Sequence, residues 1–282
     1  MVVFDKQLDL KSHLKSISDS KSTIGFVPTM GALHQGHLSL LSESLKNNSV
    51  TVVSIFVNPT QFNNPEDLEK YPRTLESDVA KLKNLSHRII VFAPQTDDIY
   101  EGRTISEHFD FDGLENQMEG KFRLGHFDGV GTIVKRLFEI VQPTNAYFGE
   151  KDFQQLQIIK KMVEKQKLPV NIIQCPVFRE ENGLAMSSRN ERLNNTERKE
   201  AAFIYQTLKE VKATFSGKSV KEIAVLVENN FKDHPHFQLE YFQVADEATL
   251  LPCVRKNKKK QYRAFIAVFV NNIRLIDTIS LN

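Results

Sequence analysis

Short runs of β-branched and aromatic residues alternate with helix-period runs along the first 175 residues. Thr23-Ile24-Gly25-Phe26-Val27 predicts a buried strand closed by Pro28. After it, Leu38, Leu41 and Leu45 share one face of a predicted helix that ends at Asn47. The run from Val50 to Val57 predicts the next strand, stopped by Pro59. Thr74 is placed to cap a helix whose apolar positions are Leu75, Val79, Leu82 and Leu85, with Glu76 and Asp78 in its first turn. Arg88 to Ala93 predicts a third strand. Val130, Ile133, Val134, Leu137, Phe138 and Val141 form the cleanest helical stripe in the chain. Predicted strand Asn145 to Phe148, helix Phe153 to Glu164 and strand Asn171 to Cys175 complete the alternation. Strands apolar on both faces and separated by helices predict an α/β fold, a Rossmann-like parallel sheet with helices on both faces over residues 1–175.

Beyond Cys175 the pattern changes. A polar loop through Asn190 leads to two predicted helices, Thr196 to Phe215 and Ser219 to Phe231, the second with a capping box between Ser219 and Glu222. Leu239 to Val244, Arg263 to Val270 and Arg274 to Ser280 predict strands, the last two joined by a tight turn at Asn271-Asn272. These elements predict a smaller C-terminal α+β lid domain over residues 176–282, with the boundary near Pro176. The basic stretch Arg255, Lys256, Lys258, Lys259 and Lys260 is expected on a solvated loop. Phosphate binding there is the alternative, although no aromatic residues interleave with the charges.

Composition narrows the function. At 282 residues, 40% hydrophobic and 26% charged, the chain can bury a sizeable core. A net charge of +2 argues against a nucleic-acid coat, which needs a broad basic surface. Cys175 and Cys253 lie 78 residues apart, match no zinc or redox spacing, and suggest free thiols in a reducing compartment. The longest apolar run, Ala264 to Val270, is seven residues, where a membrane-spanning helix needs about 20. Met1 to Leu10 has no apolar signal-peptide core. The expectation is a soluble cytoplasmic protein without a membrane or nucleic-acid partner.

The densest chemical signal is Pro28-Thr29-Met30-Gly31-Ala32-Leu33-His34-Gln35-Gly36-His37. It falls where a strand ends and a helix begins, the place where open α/β folds bind nucleotides with phosphates at the helix N-terminus. Gly31 and Gly36 allow close backbone approach. The segment is not a P-loop, because the Lys and following Ser/Thr are missing. Gly129-Val130-Gly131 imitates the start of a dinucleotide fingerprint, but position 134 is Val and the strand context is wrong. His34 and His37 have three readings: metal ligands at i, i+3, ordinary turn residues, or hydrogen-bond donors to phosphate as charge builds on the leaving group.

His34-x-x-His37 after a first strand resembles the HIGH signature of the nucleotidylyltransferase superfamily. Six blocks narrow the resemblance: Pro28 to His34, Phe56-Val57-Asn58-Pro59-Thr60-Gln61-Phe62, Tyr71-Pro72-Arg73-Thr74, Gly125-His126-Phe127-Asp128-Gly129-Val130, Gly149-Glu150-Lys151-Asp152 and Met186-Ser187-Ser188-Arg189-Asn190. They span residues 28–190, and together they resemble the pantoate–β-alanine ligase family.

That resemblance implies an ATP-dependent enzyme, with Mg2+, that makes pantoyl adenylate and then passes the acyl group to β-alanine. It assigns ATP binding to Met30, Gly31, Ala32, Leu33, His34, Gln35, Gly36, His37, Gly149, Glu150, Lys151, Asp152, Phe178, Met186, Ser187, Ser188 and Arg189. His37, His34, Lys151 and Arg189 would be the catalytic groups. Gln61 and Gln155 would bind pantoate, with Asn58 and Pro28 lining the pocket. Lys151-Asp152 is otherwise a surface ion pair, and Ser187-Ser188-Arg189 otherwise a polar loop. Asp78 is the metal candidate, with helix-dipole stabilisation as the alternative; Ser77 stands where relatives can be acidic. The family also implies a homodimer.

Overall fold

A computed structural model describes every residue except Ser18, Ser20 and Asp233. The first half is a six-stranded, all-parallel sheet: β1 (Val2–Phe4), β2 (Ile24–Thr29), β3 (Val50–Ile55), β4 (Ile89–Phe92), β5 (Asn145–Gly149) and β6 (Asn171–Cys175), in spatial order β1-β4-β3-β2-β5-β6. The strands are doubly apolar for a visible reason. Phe26, Val52, Ile90 and Phe92 face a core shared with helices Gln7–Ile17, His126–Val141 and Phe153–Gln166. Their neighbours Val27, Val53, Ile89 and Val91 face a second core, shared with helices Gln35–Asn47 and Leu75–Leu85.

The order in which strands are added reverses between β2 and β5, the switch point at which such sheets open. β2 pairs with β3 over all six of its residues, yet with β5 only at Gly25 and Phe26. The predicted stop at Pro28 is therefore corrected: the strand runs through it, and Pro28 pairs in register with Ser54. Backbone groups alternate sides along a strand. The carbonyl of Ile24 accepts a bond from Thr144 at the head of β5, whereas that of Thr29 accepts one from Phe56 beyond β3. Pro28, two residues beyond Phe26, thus turns its donorless nitrogen toward β5, where no ladder needs it.

The remaining chain forms an antiparallel sheet, β7 (Phe237–Asp246), β8 (Tyr262–Val270) and β9 (Ile273–Ser280), backed by helices Ala202–Thr214 and Val220–Lys232. The core between them draws only on residues from Leu184 onward. Asn271 takes φ +49 in the hairpin turn, as Asn tolerates, and the Ser219–Glu222 capping box is present. The helix expected from Thr196 is in fact two, Asn195–Glu200 and Ala202–Thr214, separated at Ala201. The basic loop is also tied down more than expected. The Lys256 ammonium donates to the carbonyls of Phe215 and Lys218, and Lys260 lies 3.1 Å from Asp246.

The two sheets meet through buried aromatic and ionic contacts. Phe153 packs 6.0 Å from Phe265, with the Arg263 guanidinium 4.0 Å from the Phe153 ring. Arg263 also pairs with Glu150 at 3.0 Å, and Arg274 holds Glu119 through two bonds of 2.8 Å.

Candidate active site

The parting of β2 and β5 opens a cleft, roofed on one side by the second sheet and lined by Pro28, Met30, His34, His37, Lys151 and Arg189. The histidines head the Gln35–Asn47 helix, with His34 as its N-cap. Their rings stack at 3.9 Å. Gly36 makes the stack possible, since a Cβ there would meet the His34 ring at 3.0 Å. The backbone N–H of His34 donates to Nδ1 of His37 at 3.3 Å. A nitrogen that accepts carries no proton, so neutral His37 holds its proton on Nε2.

Burial lowers the His34 pKa to about 4, helped by the positive charge of Lys151. Burial and His34 itself hold His37 well below its ordinary value. Both imidazoles are neutral at pH 7. Burial outranks the helix terminus as the cause, and Nδ1 of His34 is buried without a partner among the described residues.

Two segments bring cations to this pair. Lys151 follows β5, is 17% exposed, and lies 3.6 Å from the more open Asp152. The ion pair expected on a bland reading is there, loosely, with the ammonium still in the cleft. Ser187, Ser188 and Arg189 directly follow the open end of a hairpin that turns at Glu181–Gly183 and closes where the N–H of Met186 bonds the carbonyl of Phe178 at 2.9 Å. Arg179 rivets that hairpin to β9 through two bonds to Asp277, 2.7 and 3.0 Å, with its guanidinium 3.5 Å from the Tyr205 ring. Glu180 ties the same hairpin to Arg198 at 2.9 Å. Arg189 reaches across the mouth toward Asp67 at 3.4 Å.

The amide side chains divide sharply. Gln155 is half-buried at the cleft wall, with no hydrogen bond of its own among the described residues. Gln61 spends its carbonyl on Asn58 at 3.2 Å, but its N–H meets only the Met30 sulfur, a weak acceptor at 2.9 Å. Both keep a donor for a substrate oxygen. Asn58 does not. Its amide bonds Gln61 and the Gly129 carbonyl, and its oxygen accepts from Thr60 and Tyr100, so it builds the wall instead of binding from it. Gly129 is required for that packing, since a Cβ would fall 2.3 Å from the Thr60 carbonyl.

Several expected contacts are corrected. The N–H groups of Ala32 and Leu33 point to Asp78, that of Gly31 to Thr29, and the Leu33 side chain is core. None of these three lines the cleft. Gln35 is exposed outside it, and Glu150 turns away to Arg263 and Gln174. Asp78 is fully buried with both oxygens engaged by N–H and O–H donors, which rules against the metal reading. The Thr74 hydroxyl bonds Asp78 in place of a helix N–H. Among the described residues no cluster of three or more His, Cys, Asp or Glu is arranged to hold a metal.

Other cleft residues escaped sequence reasoning as site groups. His126 donates from Nδ1 to the Gln61 carbonyl, 2.8 Å away, and burial lowers its pKa to about 4. Arg123 reaches the same carbonyl at 3.3 Å. Tyr71 is half-buried beside Ser188. His126 and Tyr71 lay inside recognised blocks, so their signal was present; Arg123 offered none.

A parallel sheet opening at its switch point onto neutral imidazoles, with Lys151, Arg123 and Arg189 around them, defines a Rossmann-like enzyme for anionic substrates. A family model described as Pantoate-beta-alanine ligase matches residues 2–280. The chain belongs to that family, and it is an enzyme that ligates pantoate and β-alanine. It is 66% identical over 281 residues to a pantothenate synthetase of Flavobacterium psychrophilum, covering 100% of both chains. A pantothenate synthetase of Christiangramia forsetii is 56% identical, again over 100% of each. The crystal structure of pantothenate synthetase from Thermus thermophilus superposes with a TM-score of 0.90 at 37% identity, covering 100% of this chain and 99% of that one. A Francisella tularensis pantoate-beta-alanine ligase, solved with β-γ ATP and β-alanine, gives a TM-score of 0.82 at 35% identity, covering 100% and 98%.

Proposed function

We propose that the enzyme uses ATP to activate pantoate as an adenylate. The pantoate carboxylate oxygen attacks the α-phosphorus and the bond to pyrophosphate breaks. The β-alanine amine then attacks the acyl carbon, AMP leaves with its electron pair, and the nitrogen gives up a proton. Pantothenate, AMP and pyrophosphate are the products. The observation that carries this reading is the neutral His34–His37 stack with a proton on Nε2 of His37. A neutral donor can bond a phosphate oxygen more strongly as charge collects there, which accelerates the step beyond binding alone.

Lys151 and Arg189 neutralise the phosphates, Ser187 and Ser188 donate to them, and Gln61 and Gln155 orient pantoate. The Met30, Gly36, Gly149 and Phe178 surfaces flank the nucleotide. Asp152 keeps Lys151 in place. Magnesium would travel with the triphosphate and its waters, since Asp78 does not fit as its ligand. Residues 176–282 act as a lid that keeps water from the labile acyl phosphate. The enzyme works in the cytoplasm, consistent with two free buried thiols, and as a homodimer.

The test is ATP–pyrophosphate exchange with pantoate and no β-alanine. Exchange is expected; amide formation without it would replace the adenylate with another route.

A further inference from the structure

Three consecutive backbone N–H groups precede the catalytic helix, and each is taken by a side chain. Those of Ala32 and Leu33 go to the two oxygens of Asp78 at 2.9 and 2.7 Å, and that of His34 goes to Nδ1 of His37 at 3.3 Å. Asp78 lies on the Leu75–Leu85 helix, a different element, and is 0% exposed. Thr74 adds a bond to Oδ2 at 3.1 Å. Lys81, 4.0 Å from Oδ1, donates to the Leu33 carbonyl at 2.7 Å.

The turn so held is an unusual one. Gly31 and Ala32 both take positive φ, +84 and +49, and alanine has no intrinsic preference for that region. Such a conformation persists only where its surroundings fix it. A carboxylate that accepts two successive N–H groups does so, and the third N–H then has one direction left.

We propose that Asp78 is a positioning residue: it clamps the Ala32–Leu33 peptide so that the His34 N–H selects the Nε2–H tautomer of His37. The proposal builds on the role given to His37 above. It replaces both the metal and the helix-dipole readings of Asp78.

Asp78→Asn is the direct test. The amide oxygen can accept one N–H, but its NH2 group confronts the other, so the turn relaxes. Imidazole 15N spectra of the intact enzyme should show a single Nε2–H tautomer for His37 and a tautomer mixture in the variant. Adenylation kcat should fall by about 10–100-fold, the scale for a small misplacement of a reacting group. The ATP KM should stay within about threefold, and the magnesium dependence should not move. If Asp78→Asn does not fold, Thr74→Val removes one donor to Oδ2 and should shift the tautomer the same way by less.

An unchanged tautomer in the folded variant overturns the clamp. Recovery of activity at raised magnesium overturns it too, in favour of a metal ligand. A shifted tautomer with undiminished adenylation keeps the clamp and removes His37 from the chemistry.

Discussion

Two loops face each other across the cleft, and they are held by different halves of the molecule. The Met30–His37 turn is fixed by Asp78, Thr74 and Lys81, all from the helix beside the parallel sheet. The hairpin leading into Ser187, Ser188 and Arg189 is fixed by Asp277 and Thr278 on β9 and by Arg198 on the Asn195–Glu200 helix. On the proposed roles, the imidazoles that assist bond making thus sit with the parallel sheet, together with Lys151, while Ser187, Ser188 and Arg189, which would grip phosphates, ride on the other unit. Damage on the two sides should therefore look different: loss of rate on the first, loss of capture on the second.

His37→Ala tests the first side and carries the largest effect. Pyrophosphate formation should drop by about 10²–10³, the scale for one lost transition-state donor. Amide formation from preformed pantoyl adenylate should suffer much less. Equal losses in both half-reactions would show that the imidazole serves structure.

Arg179→Lys tests the other side. Lysine keeps the charge but loses the bidentate fork and the stacking on Tyr205. The ATP KM should rise by about tenfold with kcat near that of the parent, a change in binding alone. A fall in kcat with an unmoved KM would erase the proposed division between the loops.

The histidines also give the first half a pH signature. His34 and His126 titrate near 4 in the folded chain, against an ordinary value of 6.5. Between those values the unfolded chain takes up protons that the folded chain refuses. Stability therefore holds above pH 6.5 and declines as pH falls toward 4, by up to about 3 kcal/mol for the buried His126. Urea midpoints at pH 7 and pH 5 check the slope, and His126→Gln should flatten it.

The smallest effect belongs to the β8–β9 turn. Asn271→Gly keeps the positive φ and loses only an exposed bond to Glu197, so the urea midpoint should move by no more than about 0.5 kcal/mol in stability. A large shift would mean that the turn supports the hairpin opposite.

Periodicity exposed most of this fold because the strands are buried on both faces and their helices carry one clear stripe. It missed β1, whose three residues are too short to show a period, and the Gln7–Ile17 helix, where Leu10 and Leu14 are the buried contacts. The positions of His34, His37, Lys151 and Arg189 were legible because each lies where a strand gives way to a turn or in a recognisable block. What stayed hidden was direction. Nothing in the order of residues says that Glu150 turns to Arg263, that Asn58 is saturated by its neighbours, or that Asp78 reaches back 45 positions to Leu33. Those are long-range satisfactions of buried polar groups, settled only when the elements pack.

Pro28 has a consequence for the enzyme between turnovers. Two parallel strands that run side by side tend to zip together, and every added rung would be a competitor for the substrates. By setting a residue without an N–H on the side of β2 that faces β5, the chain removes the next rung from the competition. The opening at the switch point is thus written into the backbone itself, and the first ligand to arrive has no sheet to pry apart.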